Sequence, residues 1–194
     1  MAILQYIKTR EGSRRVTLGL SDGDERFELS VCYELYCELG APARGEELDG
    51  EALAPLREED TRYRALRHAL YLLSFADNSR ARLLQKLRAK GYAAEAARYA
   101  VDEAVRLGYI KEHEQLRRQI TVLANDRLYG ARRIVSTLAA RGYRAGDVRE
   151  VLTALRAEGE IDFSENFRRL CEKKGDGTED GQQRLRHTYG YGDG

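Results

Sequence analysis

Apolar residues change their period along the chain. Ile3 to Ile7 alternates well enough to predict a strand, and Val16, Leu18 and Leu20 alternate with Thr17, Gly19 and Ser21 before Asp22-Gly23-Asp24. Phe27 and Leu29 resume the alternation beyond it. A period of two puts successive side chains on opposite faces, and an Asp-Gly step between two such runs signals a tight turn. Residues 14–30 therefore read as a hairpin. From Ser30 to Leu39 the spacing turns helical, with Val31, Leu35 and Leu39 on one side and Gly40 as the stop. A loop and a further short helix, Gly45 to Leu56, complete this leader.

Beyond residue 61 the period is helical throughout. Tyr63 to Phe75 carries Leu66, Leu70 and Leu73. Asn78 or Ser79 can then cap a helix whose inner face is Leu83, Leu84 and Leu87, because a side-chain oxygen there accepts from a free first-turn amide. Gly91 ends it, with Arg88 and Lys90 in the last turn where the helix dipole favours cations. A third helix runs from about Ala94 to Gly108, with Ala97, Ala100, Val101, Ala104 and Val105 inward. The order then recurs at an offset of 51 residues: Leu83 falls on Ile134, Leu87 on Leu138, Gly91-Tyr92 on Gly142-Tyr143, and Ile110 on Ile161. One structural unit is used twice, and Lys111 to Arg127, carrying Leu116, Ile120, Leu123 and Ala124, opens the second copy.

The predicted fold is mostly α: tandem three-helix repeats in an elongated, curved array, preceded by a small β-hairpin and helix module. The expected segments are 1–61 for that acidic module, 62–110 for the first repeat and 111–160 for the second. Phe163, Phe167 and Leu170 in 161–174 make the first helix of a truncated third repeat, and 175–194 is too poor in apolar residues to fold and is expected to be a disordered tail.

Charge changes the picture more than composition does. The chain has a net charge of +1, but 1–61 carries 7 Lys/Arg against 14 Asp/Glu, while 62–110 carries 10 against 4 and 111–160 carries 10 against 7. Basic charge therefore sits on the repeats. Arg82 and Lys86 lie one turn apart, and Arg132 and Arg133 begin the corresponding helix of the second copy. With Arg80, Lys90, Arg117, Arg118 and Arg141 they form a candidate cationic ladder for phosphates or acidic grooves, although charge runs on helices are also ordinary solvated faces. Tyr92 and Tyr143 follow the helix-ending glycines and are expected to pack as caps, with stacking on bases as the alternative.

Cys32, Cys37 and Cys171 have no metal-ligand or disulfide spacing, and no catalytic constellation or cofactor loop is evident, so neither an enzyme nor a cofactor is expected. With no apolar run of membrane-spanning length or signal-peptide pattern, a cytoplasmic protein is expected.

Three features together make the chain resemble the RecX family, bacterial regulators of the RecA recombinase. One is Ser79, Leu83, Leu84, Leu87, Lys90 and Gly91; the second is Gly130, Arg133, Ile134, Leu138 and Gly142; the third is the hairpin and acidic leader ending at Gly45 to Leu48. The sequence departs from the family pattern at Ile110-Lys111-Glu112-His113, at Arg82 where the family commonly has Glu, and in the shortened third repeat. The resemblance implies a non-catalytic monomer that binds the RecA nucleoprotein filament, with weak DNA binding of its own, and that modulates homologous recombination and the SOS response, in the inhibitory sense. The alternatives are a generic DNA-binding helical module and a protein adaptor indifferent to RecA.

Overall fold

The computed structural model describes residues 1–174 and 178–192. The chain divides into two compact units, Met1–Ser74 with Leu84–Arg106, and Phe75–Leu83 with Leu107–Gly194. These units do not follow the repeat limits, because the stretch at the start of the first repeat's middle helix belongs with the second repeat.

The first unit opens with strands β1 (Ala2–Thr9), β2 (Arg15–Asp22) and β3 (Glu25–Cys32), the short helix α1 (Tyr33–Glu38) and β4 (Glu47–Leu48). The strands form an antiparallel sheet in the order β3-β2-β1-β4, and β2 and β3 pair through Asp22 and Glu25 around the turn. Ala2, Leu4, Val16, Leu18, Leu20, Leu29 and Val31 fill one face. Each fully buried Leu or Val there contributes about 1.5–3 kcal/mol.

Two expectations for the leader are corrected. The predicted helix from Ser30 gives up its start to β3, because Ser30 and Val31 stay paired with Thr17 and Val16. The short helix Gly45 to Leu56 and the helix from Tyr63 are one 26-residue helix, α2 (Gly50–Phe75), capped by Asp49 Oδ1 at 2.9 Å from the Ala52 amide. Pro55 lies within this helix and does not break it. The helix continues because Leu53 and Leu56 pack on the sheet and because buried Asp60 takes the Ser30 amide at 2.8 Å and pairs with Arg64 at 2.7 Å. Helix α3 (Arg80–Ala89) enters this unit at Leu84, and α4 (Ala94–Arg106) buries Ala96, Ala97, Ala100, Val101 and Ala104.

The second unit holds α5 (Glu112–Thr121), a single π turn (Val122–Asp126), α6 (Ala131–Ala140) and α7 (Ala145–Ala157) around Leu116, Ile120, Ile134, Leu138, Val148, Leu152 and Leu155. Helix α8 (Phe163–Lys174) follows as the sequence predicts.

The expected disordered tail is contradicted. Residues 179–189 form helix α9 (Glu179–Tyr189), while 175–177 and 193–194 lie outside the described residues. Helix α9 folds with little apolar content because its ends are closed by other means. Thr178 Oγ1 accepts the Gly181 amide at 3.0 Å, and Gly190 ends the helix in a left-handed turn that buries Tyr191 against Leu128, Leu170, Phe163 and Phe167. The third repeat therefore has a second helix. No helix among the described residues is long and apolar enough to cross a membrane.

Candidate partner-binding surface

The site is built on a joint that recurs within the second unit. Helix α6 ends at Gly142, φ +89°, and the Tyr143 amide reaches back 3.1 Å to the Leu138 carbonyl. A left-handed residue at this position costs L-amino acids about 1–2 kcal/mol, hence glycine. The turn lies against the start of α3: Ser79 Oγ donates to the Arg141 carbonyl at 2.9 Å and also accepts the Arg82 amide at 3.2 Å. Ser79 is both a helix cap and a clamp. A Cβ on Gly142 would come within 2.7 Å of that hydroxyl.

Tyr143 follows as a buried cap whose hydroxyl donates to Gln115 Oε1 at 3.1 Å and accepts from Gln119 Nε2 at 2.9 Å. Burial raises its phenol pKa above the ordinary value, with the Gln119 hydrogen bond acting in the opposite sense. Gln119 Oε1 in turn receives Arg141 Nη1 at 2.8 Å. Arg118 Nη2 meets Asp77 Oδ2 at 2.8 Å, and this hydrogen bond is the main reason its pKa is raised. Arg82, Gln119, Arg141 and Tyr143 line a cleft of about 440 Å³ in which Asp77 is the carboxylate. The arrangement has preset guanidiniums at its rim and suits an anionic or acidic surface; it contains nothing resembling an acid–base pair.

The other predicted residues separate into groups. Arg132 and Arg133 line a neighbouring cleft of about 560 Å³ with Gln183, His187 and Tyr191. Arg132 is exposed. Arg133 serves the fold: its Nη1 donates to the Thr188 carbonyl at 2.6 Å, and its guanidinium stacks 4.1 Å from the Tyr129 ring centre. Arg117 is held by Glu158 at 2.5 Å and Glu160 at 2.8 Å, and Arg80 by Glu112 at 3.8 Å. Lys86 is half-buried on α3, and Lys90 lines a groove in the first unit.

Missed entirely was the second joint. The Gly130 amide donates to the Tyr189 carbonyl at 2.7 Å, and the Arg132 amide to the Gly190 carbonyl at 3.2 Å. Gly190-Tyr191 docks on α6 as Gly142-Tyr143 docks on α3. The signal was a further Gly-Tyr step, 48 rather than 51 residues beyond Gly142-Tyr143.

Comparison with known proteins agrees with this architecture. Residues 65–103 match the family described as RecX, first three-helix domain. The regulatory protein RecX of Trichlorobacter lovleyi is 31% identical over 106 residues, covering 55% of this chain and 68% of that protein. A crystal structure of regulatory protein RecX superposes over 100% of this chain and 95% of its own, with a TM-score of 0.71 at 18% identity. That of RecX from Lactobacillus salivarius covers 70% and 90%, with a TM-score of 0.58 at 17% identity. The last two speak for the fold, while the first two tie the repeat sequence itself to one group. The chain belongs to the RecX family of regulatory proteins.

Proposed function

We propose that this protein binds RecA–single-stranded DNA filaments and lowers recombinase activity by occupying filament surface, with no chemistry of its own. Family membership supports the regulatory role. The observation that carries the contact surface is the convergence of Arg82, Arg118 and Arg141 at the α3–α6 joint, where Ser79 and Gln119 fix the elements beneath them. Arg132 extends the surface, whereas Arg117, Arg133 and Arg80 hold the repeats in shape. Lys86 continues the basic character of α3. A rim of cations from successive repeats matches phosphates and acidic side chains together.

The test is RecA's DNA-dependent ATP hydrolysis on single-stranded DNA, with the protein added far below one copy per RecA. A fall at low ratios is expected. The variant Arg82→Glu/Arg132→Glu/Arg141→Glu should lose the effect while its melting temperature stays nearly constant, because exposed substitutions cost little. Full inhibition by this variant would dismiss the rim as the contact.

A further inference from the structure

The leader is acidic overall, yet it helps to line the most basic hollow of the first unit. A groove of about 860 Å³ is lined by β1, β2, β3 and the turn between the first two, by helix α2, and by Lys90 and Tyr92. Its lining contains six Lys and Arg residues against two carboxylates, Glu28 and Asp60. The other acidic residues of the leader do not line it, so sequence averages conceal this hollow.

The charges in the groove divide into two kinds. Arg15 and Arg64 are structural: Arg15 pairs with Glu59 at 2.8 Å and lies 3.5 Å over the Tyr63 ring, and Arg64 joins Asp60 to the Glu28 carbonyl. Arg64 takes the Asp60 carboxylate, and Lys8 takes that of Glu28 at 3.4 Å. Arg10, Arg67 and Lys90 have no ion-pair partner among the described residues. Between these cations stand rings. His68 packs edge-on against Tyr92 at 5.7 Å and against Tyr71 at 6.3 Å, and Tyr71 is 61% exposed. Tyr92 itself is fixed by its hydroxyl, which donates to the Arg64 carbonyl at 3.2 Å.

We infer that this groove is a binding site for single-stranded nucleic acid, with Arg10, Arg67 and Lys90 on the phosphates and Tyr71 as the base-stacking platform. Basic residues interleaved with aromatic rings are what an unpaired strand requires, since phosphates repeat along it and every base has a face to stack. A duplex fits poorly. Its bases are already stacked, and it is read by convex elements that enter its grooves, whereas this surface is concave. The groove shares no residue with the Arg82, Arg132 and Arg141 rim and needs no RecA.

The experiment is fluorescence anisotropy of a labelled oligothymidylate of about 15 nucleotides with the full chain, in a salt series and without RecA. Replacing Arg10, Arg67 and Lys90 with Ala should weaken binding at least tenfold. It should also lower the slope of log affinity against log salt by about 2, three contacts at roughly 0.7 each. Tyr71→Ala should weaken binding about tenfold with the slope unchanged, and Tyr71→Phe should restore it. Because the Tyr71 ring is exposed, this pair carries the test even if the triple variant melts early. An unchanged affinity in Tyr71→Ala, equal binding of an abasic strand, or equally effective competition by duplex would each overturn the inference. The Arg82/Arg132/Arg141 variant should bind the oligonucleotide like the parent, so failure of the filament reading leaves this result distinct.

Discussion

The two joints of the second unit perform one task with different materials. At the α6–α3 joint a side chain mediates: Ser79 stands between the backbones, donating to Arg141 and capping α3. At the α9–α6 joint the corresponding residue is Gly130, nothing stands between, and the backbones bond directly through the Gly130 and Arg132 amides. A mediated contact can adjust by a rotamer. A bare one cannot, so the second joint depends on two glycines and on the tyrosine that follows them.

The sharpest way to break the comparison is Gly130→Val. A Cβ there would meet the Gly190 carbonyl and the Tyr191 nitrogen, at 2.5 Å for the latter, and backbone has nowhere to go. We expect α9 to undock, at about 3 kcal/mol or more, seen as hydrogen exchange across 179–191 rising to solvent rates while α5–α7 remain protected.

Next comes ionisation of Tyr191. Burial, assisted by Cys171, pushes its phenol up to about 12, and its hydroxyl donates to the Leu128 carbonyl at 3.1 Å. The folded chain favours the neutral phenol, so the contribution is complete below the ordinary value near 10 and is lost as pH climbs through about 12. A shift of that size corresponds to on the order of 2–3 kcal/mol. Tyr191→Phe should remove this dependence while losing about 1 kcal/mol at neutral pH for the hydrogen bond. Urea melts at pH 8, 10 and 11.5 would show it, and a parallel loss in the Phe variant would refute the assignment.

Gly142→Ala should cost about 2 kcal/mol, partly from the left-handed φ and partly from the approach to Ser79 Oγ. Adding Ser79→Gly should recover the steric part alone, which a double-mutant cycle measures directly. The smallest effect is Ser79→Ala, about 1 kcal/mol for the lost cap and clamp together. Equal costs for Gly130→Val and Ser79→Ala would mean that the joints differ less than their chemistry implies.

What the sequence made legible follows from range. The hairpin, α3 and its copy α6, and the Gly-Tyr caps are written in residues within a turn or two of one another. The continuity of α2 was hidden because buried Asp60 answers to Ser30, thirty positions away. Helix α9 was hidden because Gln182, Gln183 and Arg186 replace the apolar Ile134, Val135 and Leu138 of α6, leaving only the Thr178 cap and Gly190-Tyr191 as signs of a repeat. The cations of the candidate rim were visible as residues. Their employment was not: Arg117 is tied to Glu158 and Arg118 to Asp77, each 41 positions distant.

Those same substitutions on α9 have a bearing on solubility. Stacked repeats leave a raw end wherever the stacking stops, and an apolar end invites another copy. Gln182 and Gln183 are exposed and Thr178 accepts the Gly181 amide, so this face of α9 presents side-chain amides to water where α6 carries apolar residues.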